Sequence, residues 1–141
     1  MKIYLKKLNK KMKEEVCKVI LVGDSGVGKT SIILRFITNE YNKDTPSTTG
    51  ANYASKDVEF NEYKTKLQYD VWDTAGQEQY KGLSKIFYKD ASIVILVFDI
   101  TNEKSFSEIK NFWYNEIKEN ASDNISKIFY FKCFSLSNSW K

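Results

Sequence analysis

Between Cys17 and Val22 the chain is apolar at every position except Lys18, a run suited to a strand buried in a parallel sheet. The run breaks at Gly23, and Ile32, Ile33 and Phe36 then recur at the spacing of one buried helix face. Thr38 to Thr49 is polar and holds the only proline, Pro46, which predicts a loop. Tyr53–Phe60 and Lys66–Trp72 read as two strands whose joint, Asn61-Glu62-Tyr63, is short enough for an antiparallel hairpin. Ser92–Ile100 is the strongest strand pattern, expected to be central and buried. A helix follows over Glu103–Asn120, with Thr101 as its cap, Lys104 on its exposed face, and Phe106, Ile109, Phe112, Trp113 and Ile117 in the core. Asn124 and Ser126 mark a loop into Lys127–Phe131, a fifth strand. The expected fold class is α/β: a doubly wound, mostly parallel sheet with the glycine-rich loop at the C-terminal end of its first strand.

That loop carries the first chemistry. Gly23-Asp24-Ser25-Gly26-Val27-Gly28-Lys29-Thr30 fits G-x-x-x-x-G-K-[ST] at every fixed position, between a predicted strand and a predicted helix. The glycines permit backbone conformations and close approaches that a Cβ would obstruct. Backbone N–H groups from Asp24 to Ser31 can then surround a phosphate at the positive end of a helix dipole. Lys29 supplies a point charge, and the Thr30 hydroxyl suits Mg²⁺. An ordinary turn between strand and helix is the plain alternative. The loop by itself implies a nucleoside triphosphate and leaves the base open. Downstream, Trp72-Asp73-Thr74-Ala75-Gly76-Gln77 ends the second hairpin strand. Asp73 there suits Mg²⁺ held through water, Gly76 a backbone N–H toward the γ-phosphate, and Gln77 the orientation of an attacking water.

Composition narrows the alternatives. The chain has 141 residues, enough for one domain with a sizeable core. No apolar run approaches the roughly 18 residues of a membrane span. The net charge of +4 is uneven: six lysines fall in the first thirteen residues, leaving the remainder near neutral. A basic nucleic-acid-binding face on the domain is therefore not expected. Without histidine or a cysteine cluster, zinc chemistry and a Ser-His-Asp triad have no ligands or base. Cys17 and Cys133 fit a reduced, cytosolic setting. Residues 1–15 form a basic N-terminal tail, and residues 16–141 the domain. Leu5, Leu8 and Met12 share a helical face among lysines, but the stripe is short, and a solvated tail is the favoured reading over a membrane-surface helix. No apolar h-region of a signal peptide follows the lysines.

The motifs G-D-S-G-V-G-K-T, W-D-T-A-G-Q-E and Y-K-D-A-S-I-V-I-L-V-F-D-I-T-N-E-K-S-F, in that order, resemble the Ras-like small GTPases, and specifically their Rab branch. The resemblance covers residues 16 to 128. It implies a P-loop G domain that binds GTP or GDP with Mg²⁺ and hydrolyses GTP slowly as a switch in vesicle trafficking. Thr48, chosen over the adjoining Thr49 by its spacing from Lys29, then stands where the family has the first-switch threonine that ligates Mg²⁺, alongside Thr30 and Asp73, and Gln77 where it has the catalytic glutamine. Tyr41 takes the place of the aromatic that packs against guanine. Tyr53, Trp72 and Phe87 match the aromatic trio linking the two switches, and Gln79-Tyr80 replaces the usual arginine and aromatic. Exchange factors, GTPase-activating proteins and effectors are the implied partners, with a monomer as the working state and no nucleic acid.

Past Ile128 the family pattern fails. Phe131-Lys132-Cys133-Phe134 stands where the family carries G-N-K-x-D, so both guanine-reading side chains are replaced by phenyl rings. A phenyl ring accepts no hydrogen bond, and a site that hydrogen-bonds its substrate discriminates far better than an apolar one. The expected G domain lacks its last strand and helix, and Ser137–Lys141 holds no prenyl-acceptor cysteine. The second function class is accordingly a truncated, non-catalytic binding module or a nucleotide-promiscuous P-loop protein. The expected location is cytoplasmic, with weak anionic-membrane contact through the N-terminal lysines.

Overall fold

Five strands form one sheet in the order β2-β3-β1-β4-β5, so the strand that opens the fold also lies at its centre. The computed structural model describes residues 12–41, 48–74 and 84–132. β1 (Lys13–Val22) pairs in parallel with β3 (Thr65–Thr74) on one side and β4 (Ile93–Asp99) on the other. β2 (Ala51–Phe60) pairs antiparallel with β3, with Tyr53 opposite Trp72, and β5 (Ser126–Lys132) extends the parallel run beyond β4. The hairpin closes through a 3₁₀ turn at Asn61–Tyr63, and Lys64 takes a left-handed conformation (φ 49°) to re-enter the sheet. The hairpin and the parallel fifth strand are as the hydrophobic pattern predicts. β1 starts four residues earlier than its apolar run, because Lys13–Val16 pair backbone to backbone with Thr65–Gln68 while their side chains stay exposed.

Alternate residues of β1 serve two cores. Val19 and Leu21 join Val27, Ile33, Val71 and Val97 under α1 (Lys29–Thr38). Ile20 and Val22 join Val94, Leu96, Tyr88, Ile109, Trp113 and Ile117 on the opposite face. That second layer is built by α2 (Ser84–Tyr88), α3 (Glu103–Glu108), a π-helical turn (Ile109–Trp113) and α4 (Tyr114–Asn120), the last three running on without a break. Period-two alternation along a strand covered on both faces is the physical content of a doubly wound sheet.

Three details differ from expectation. The cap of α3 is Asn102, whose side chain accepts from the Ser105 N–H. Thr101 instead donates its N–H and hydroxyl to Asp99 Oδ1, at 2.8 and 2.6 Å. Phe106 and Phe36 are each 37% exposed, so neither belongs to the interior. Phe106 covers Phe98 from outside (ring centroids 4.9 Å apart), and Phe36 meets Tyr69 edge-on. Both lie on flanks of their helices where a one-residue step from the buried stripe already reaches solvent.

Candidate nucleotide site

The loop after β1 is shaped by three positive-φ glycines: Gly23 (145°), Gly26 (77°) and Gly28 (97°). At Gly23 a Cβ would stand 2.1 Å from the Val97 carbonyl oxygen, so the chain leaves the sheet by passing directly against β4. Val27 anchors the far side of the loop in the α1 core, while Ser25 and Gly26 between the anchors face solvent. Gly28 then caps α1 without any side-chain hydrogen bond, leaving the first helical N–H groups open toward a ligand.

Lys29, the first residue of α1, is only 5% exposed and folds back into the loop. Its Nζ donates to the carbonyls of Gly23 and Asp24, each at 2.9 Å. Burial pushes its pKa down to about 8, opposed in part by the carboxylates of Asp73 and Asp24. At the next residue, the Thr30 hydroxyl lies 2.7 Å from Thr48 Oγ1 and donates to Asp73 Oδ2 at 2.7 Å. Thr48 also reaches Asp73 Oδ2, at 3.1 Å. Residues far apart in the chain thus meet: Thr30 from the helix start, Thr48 from just before β2 and Asp73 from the end of β3.

Asp73 is 2% exposed, and its other oxygen, Oδ1, is buried with no hydrogen-bond partner among the described residues. A buried ionised oxygen without a partner is costly. One carboxylate and two hydroxyls around such an oxygen suit a hard, oxygen-seeking cation. Among the described residues no three Asp, Glu, His or Cys side chains gather into a carboxylate- or thiolate-rich metal site. Next to Asp73, Thr74 donates its hydroxyl to the Leu21 carbonyl at 2.7 Å and ties the end of β3 to the strand that feeds the loop. Sequence reasoning gave Thr74 no role, although it sits inside the W-D-T-A-G-Q run. Ser105 was also passed over. It is fully buried, and its Oγ accepts from the Asp99 N–H at 3.0 Å, fixing the turn between β4 and α3.

A family model for the Ras family matches residues 18–133 of the chain. The chain belongs to the Ras family. Its relatives place it on the Rab branch. It is 45% identical to the Ras-related protein Rab-13 of Rattus norvegicus over 115 residues, 82% of this chain and 55% of that protein. Against Rab-8B of Homo sapiens the identity is 43% over 111 residues, 79% of this chain and 52% of the relative. Against SEC4 of Saccharomyces cerevisiae it is 39% over 115 residues, 82% and 52%. The chain spans about half the length of these relatives. Of the residues that the Ras-family resemblance singles out, Asp24 to Ser31 form the loop and the start of α1, and Thr48 and Asp73 meet Thr30 beside it. Tyr41 stands beyond the α1 C-cap at Asn39 and is 57% exposed. Gly76 and Gln77 lie outside the described residues, as do Pro46, Gln79-Tyr80, Cys133 and Phe134. The Rab-type aromatic trio is contiguous: Tyr53 and Trp72 ring centroids are 5.2 Å apart, and Trp72 and Phe87 5.8 Å.

Proposed function

We propose that the chain acts as a Rab-like switch that binds GTP and GDP with Mg²⁺ and hydrolyses GTP slowly. In this reading it presents its Thr48- and Gln77-bearing loops to regulators and effectors of vesicle traffic. The observation that carries the reading is the convergence of Thr30, Thr48 and Asp73 beside the buried Lys29, with Asp73 Oδ1 unpaired among the described residues. The N–H groups from Asp24 to Ser31 hold the phosphates, and Lys29 exchanges its two carbonyl partners for β- and γ-phosphate oxygens. Thr30, Thr48 and Asp73 would hold Mg²⁺, which when bound offsets charge on the phosphate oxygens. By the resemblance to the family, Gly76 would offer its N–H to the γ-phosphate, Gln77 would orient the attacking water, and Tyr41 would cover the base.

No arginine of the chain is poised to help: Arg35, the only one, donates Nη1 to the Asn39 carbonyl at the far end of α1. An arginine supplied by a partner raises turnover by about 10³–10⁵ in small GTPases. The test is Gln77→Leu. It should retain nucleotide binding and lose single-turnover hydrolysis, and unchanged turnover would remove Gln77 from the mechanism.

A second reading has its own support in Phe131 and Phe134, which stand where the family reads guanine. On that reading the phosphates dominate binding, and ATP competes with GTP. The proposed division is a basic tail over 1–15 and the domain over 16–141. Among the described residues no helix is long and apolar enough to cross a membrane. The proposed location is the cytoplasm, with salt-sensitive attachment through the first lysines, each contributing about 1 kcal/mol near an anionic leaflet. Flotation with phosphatidylserine vesicles, with and without residues 1–11, tests the attachment; binding that survives high salt would contradict it.

A further inference from the structure

On the face of the sheet that carries α1, the apolar surface runs on past the helix. Ile93, Ile95 and Val97 of β4 all point to that side, and the first two are only half-buried while Val97 is enclosed. In the parallel register Ile128 stands beside Ile95 and Tyr130 beside Val97, and paired residues share a side. Ile128 is 45% exposed and Tyr130 46%. α1 packs toward β3 and β2, while α3 and the π turn pack on the other face of β4. Among the described residues no helix covers the β4–β5 half of the α1 face, and no strand pairs with the outer edge of β5. Ile93, Ile95, Ile128 and Tyr130 thus form one contiguous strip across two strands, of the kind that marks a contact surface.

Residues 133–141, outside the described residues, follow β5 directly in the sequence. Phe134, Leu136 and Trp140 fall on even positions and Ser135, Ser137 and Ser139 on odd ones. That is a period-two pattern with an apolar side and a hydroxyl side, and it carries no charge from Cys133 to Trp140. Nine extended residues reach about 30 Å. The Ile128 row lies only about 13 Å back from Lys132 along β5. Residues 1–11 also hold apolar side chains, but they match the strip poorly. They include five lysines, and they enter β1 at Lys13. Lys13 lies about 20 Å along the strand from Val19, the partner of Ile93.

We propose that residues 133–141 turn back at the end of β5 and dock on this strip. Phe134, Leu136 and Trp140 lie against Tyr130, Ile128, Ile95 and Ile93, and the serines face water. Polarity and distance select this occupant: the strip is uncharged, and so is the ribbon that follows it. The short tether also gives the ribbon a local concentration on the order of millimolar, above that of a free partner. The contact bears on the loop described above. Tyr130 is paired with Val97, whose carbonyl oxygen stands directly against Gly23, so the docked segment braces the strand that walls the loop.

The test is NMR of the full chain, isotope-labelled at its isoleucine methyl groups. Nuclear Overhauser contacts are expected from the Trp140 indole or the Phe134 ring to the methyls of Ile128 and Ile95. Leu136→Ser/Trp140→Ser should shift those methyls by removing the indole ring current, and leave Ile20 and Ile109 of the opposite core in place. The contacts should persist on dilution. Their absence in the unsubstituted chain would overturn the proposal without any variant having to fold. Contacts that vanish on dilution would overturn it too, by giving the strip to a second copy of the chain. So would Ile128 and Ile95 methyls indifferent to the double substitution.

Discussion

Lys29 carries an ammonium group held by two backbone carbonyls and is itself only 5% exposed. Its pKa of about 8 lies below the ordinary lysine value of 10.5, chiefly through burial. Between those two values the unfolded chain binds more protons than the folded one, so the empty protein gains stability as pH rises through about 8 to 10.5. A bound phosphate reverses the balance by favouring the charged form. Nucleotide affinity should therefore be level below pH 8 and fall above it, by up to about tenfold per pH unit, with proton uptake on binding. Calorimetric titration from pH 7 to 9.5 in two buffers reads both effects, and a flat profile would show that Lys29 does not meet the phosphates. The motif named Lys29, Thr30 and Asp73 as partners in one chemistry. It could not name Lys29's carbonyl partners, because their direction follows from positive φ angles at Gly23, Gly26 and Gly28 rather than from residue type.

At the scale of elements, the helix after β4 shows where periodicity falls short. Ile109, Trp113 and Ile117 are all buried although four residues separate each from the next. Two such steps on an ideal 3.6-residue turn drift about 80° around the axis. The π turn over Ile109–Trp113 widens the coil and takes up part of that drift. A hydrophobic pattern reports the face and hides the local bonding, so the core residues were legible and the π turn was not. Likewise Thr101 and Asn102 are both good caps by composition, and the choice fell to Asn102 because Asp99 already held Thr101. Trp113 Nε1 is buried without a hydrogen-bond partner among the described residues. Trp113→Phe removes that donor and should cost less than about 1.5 kcal/mol. Trp113→Ala should cost about 3–5 kcal/mol through the cavity it leaves. Urea unfolding compares the two, and equal losses would mean that the indole N–H is hydrogen-bonded in solution.

For the whole molecule, the winding of helices on both faces of the sheet decides where chemistry can occur. The strands β1 and β3 end side by side, and their C-terminal ends deliver the glycine loop and Asp73 to one crevice, where open parallel sheets place ligands. That much followed from strand order and motif spacing. The meeting of Thr48 with Thr30 and Asp73 was not legible in the residue types alone, since a polar stretch precedes Thr48. It came through the resemblance to the Ras family. The most direct measurement is binding of fluorescently labelled GTP to the purified chain, with Mg²⁺ and with chelator, in competition with unlabelled GTP and ATP. The account predicts saturable, Mg²⁺-dependent binding that weakens at least about tenfold in Lys29→Ala, the loss of one charge-assisted contact being worth roughly 1.5–3 kcal/mol. GTP should displace the label more strongly than ATP. Equal displacement by both would favour the base-promiscuous reading, and binding indifferent to Mg²⁺ and to Lys29 would contradict the account of the site.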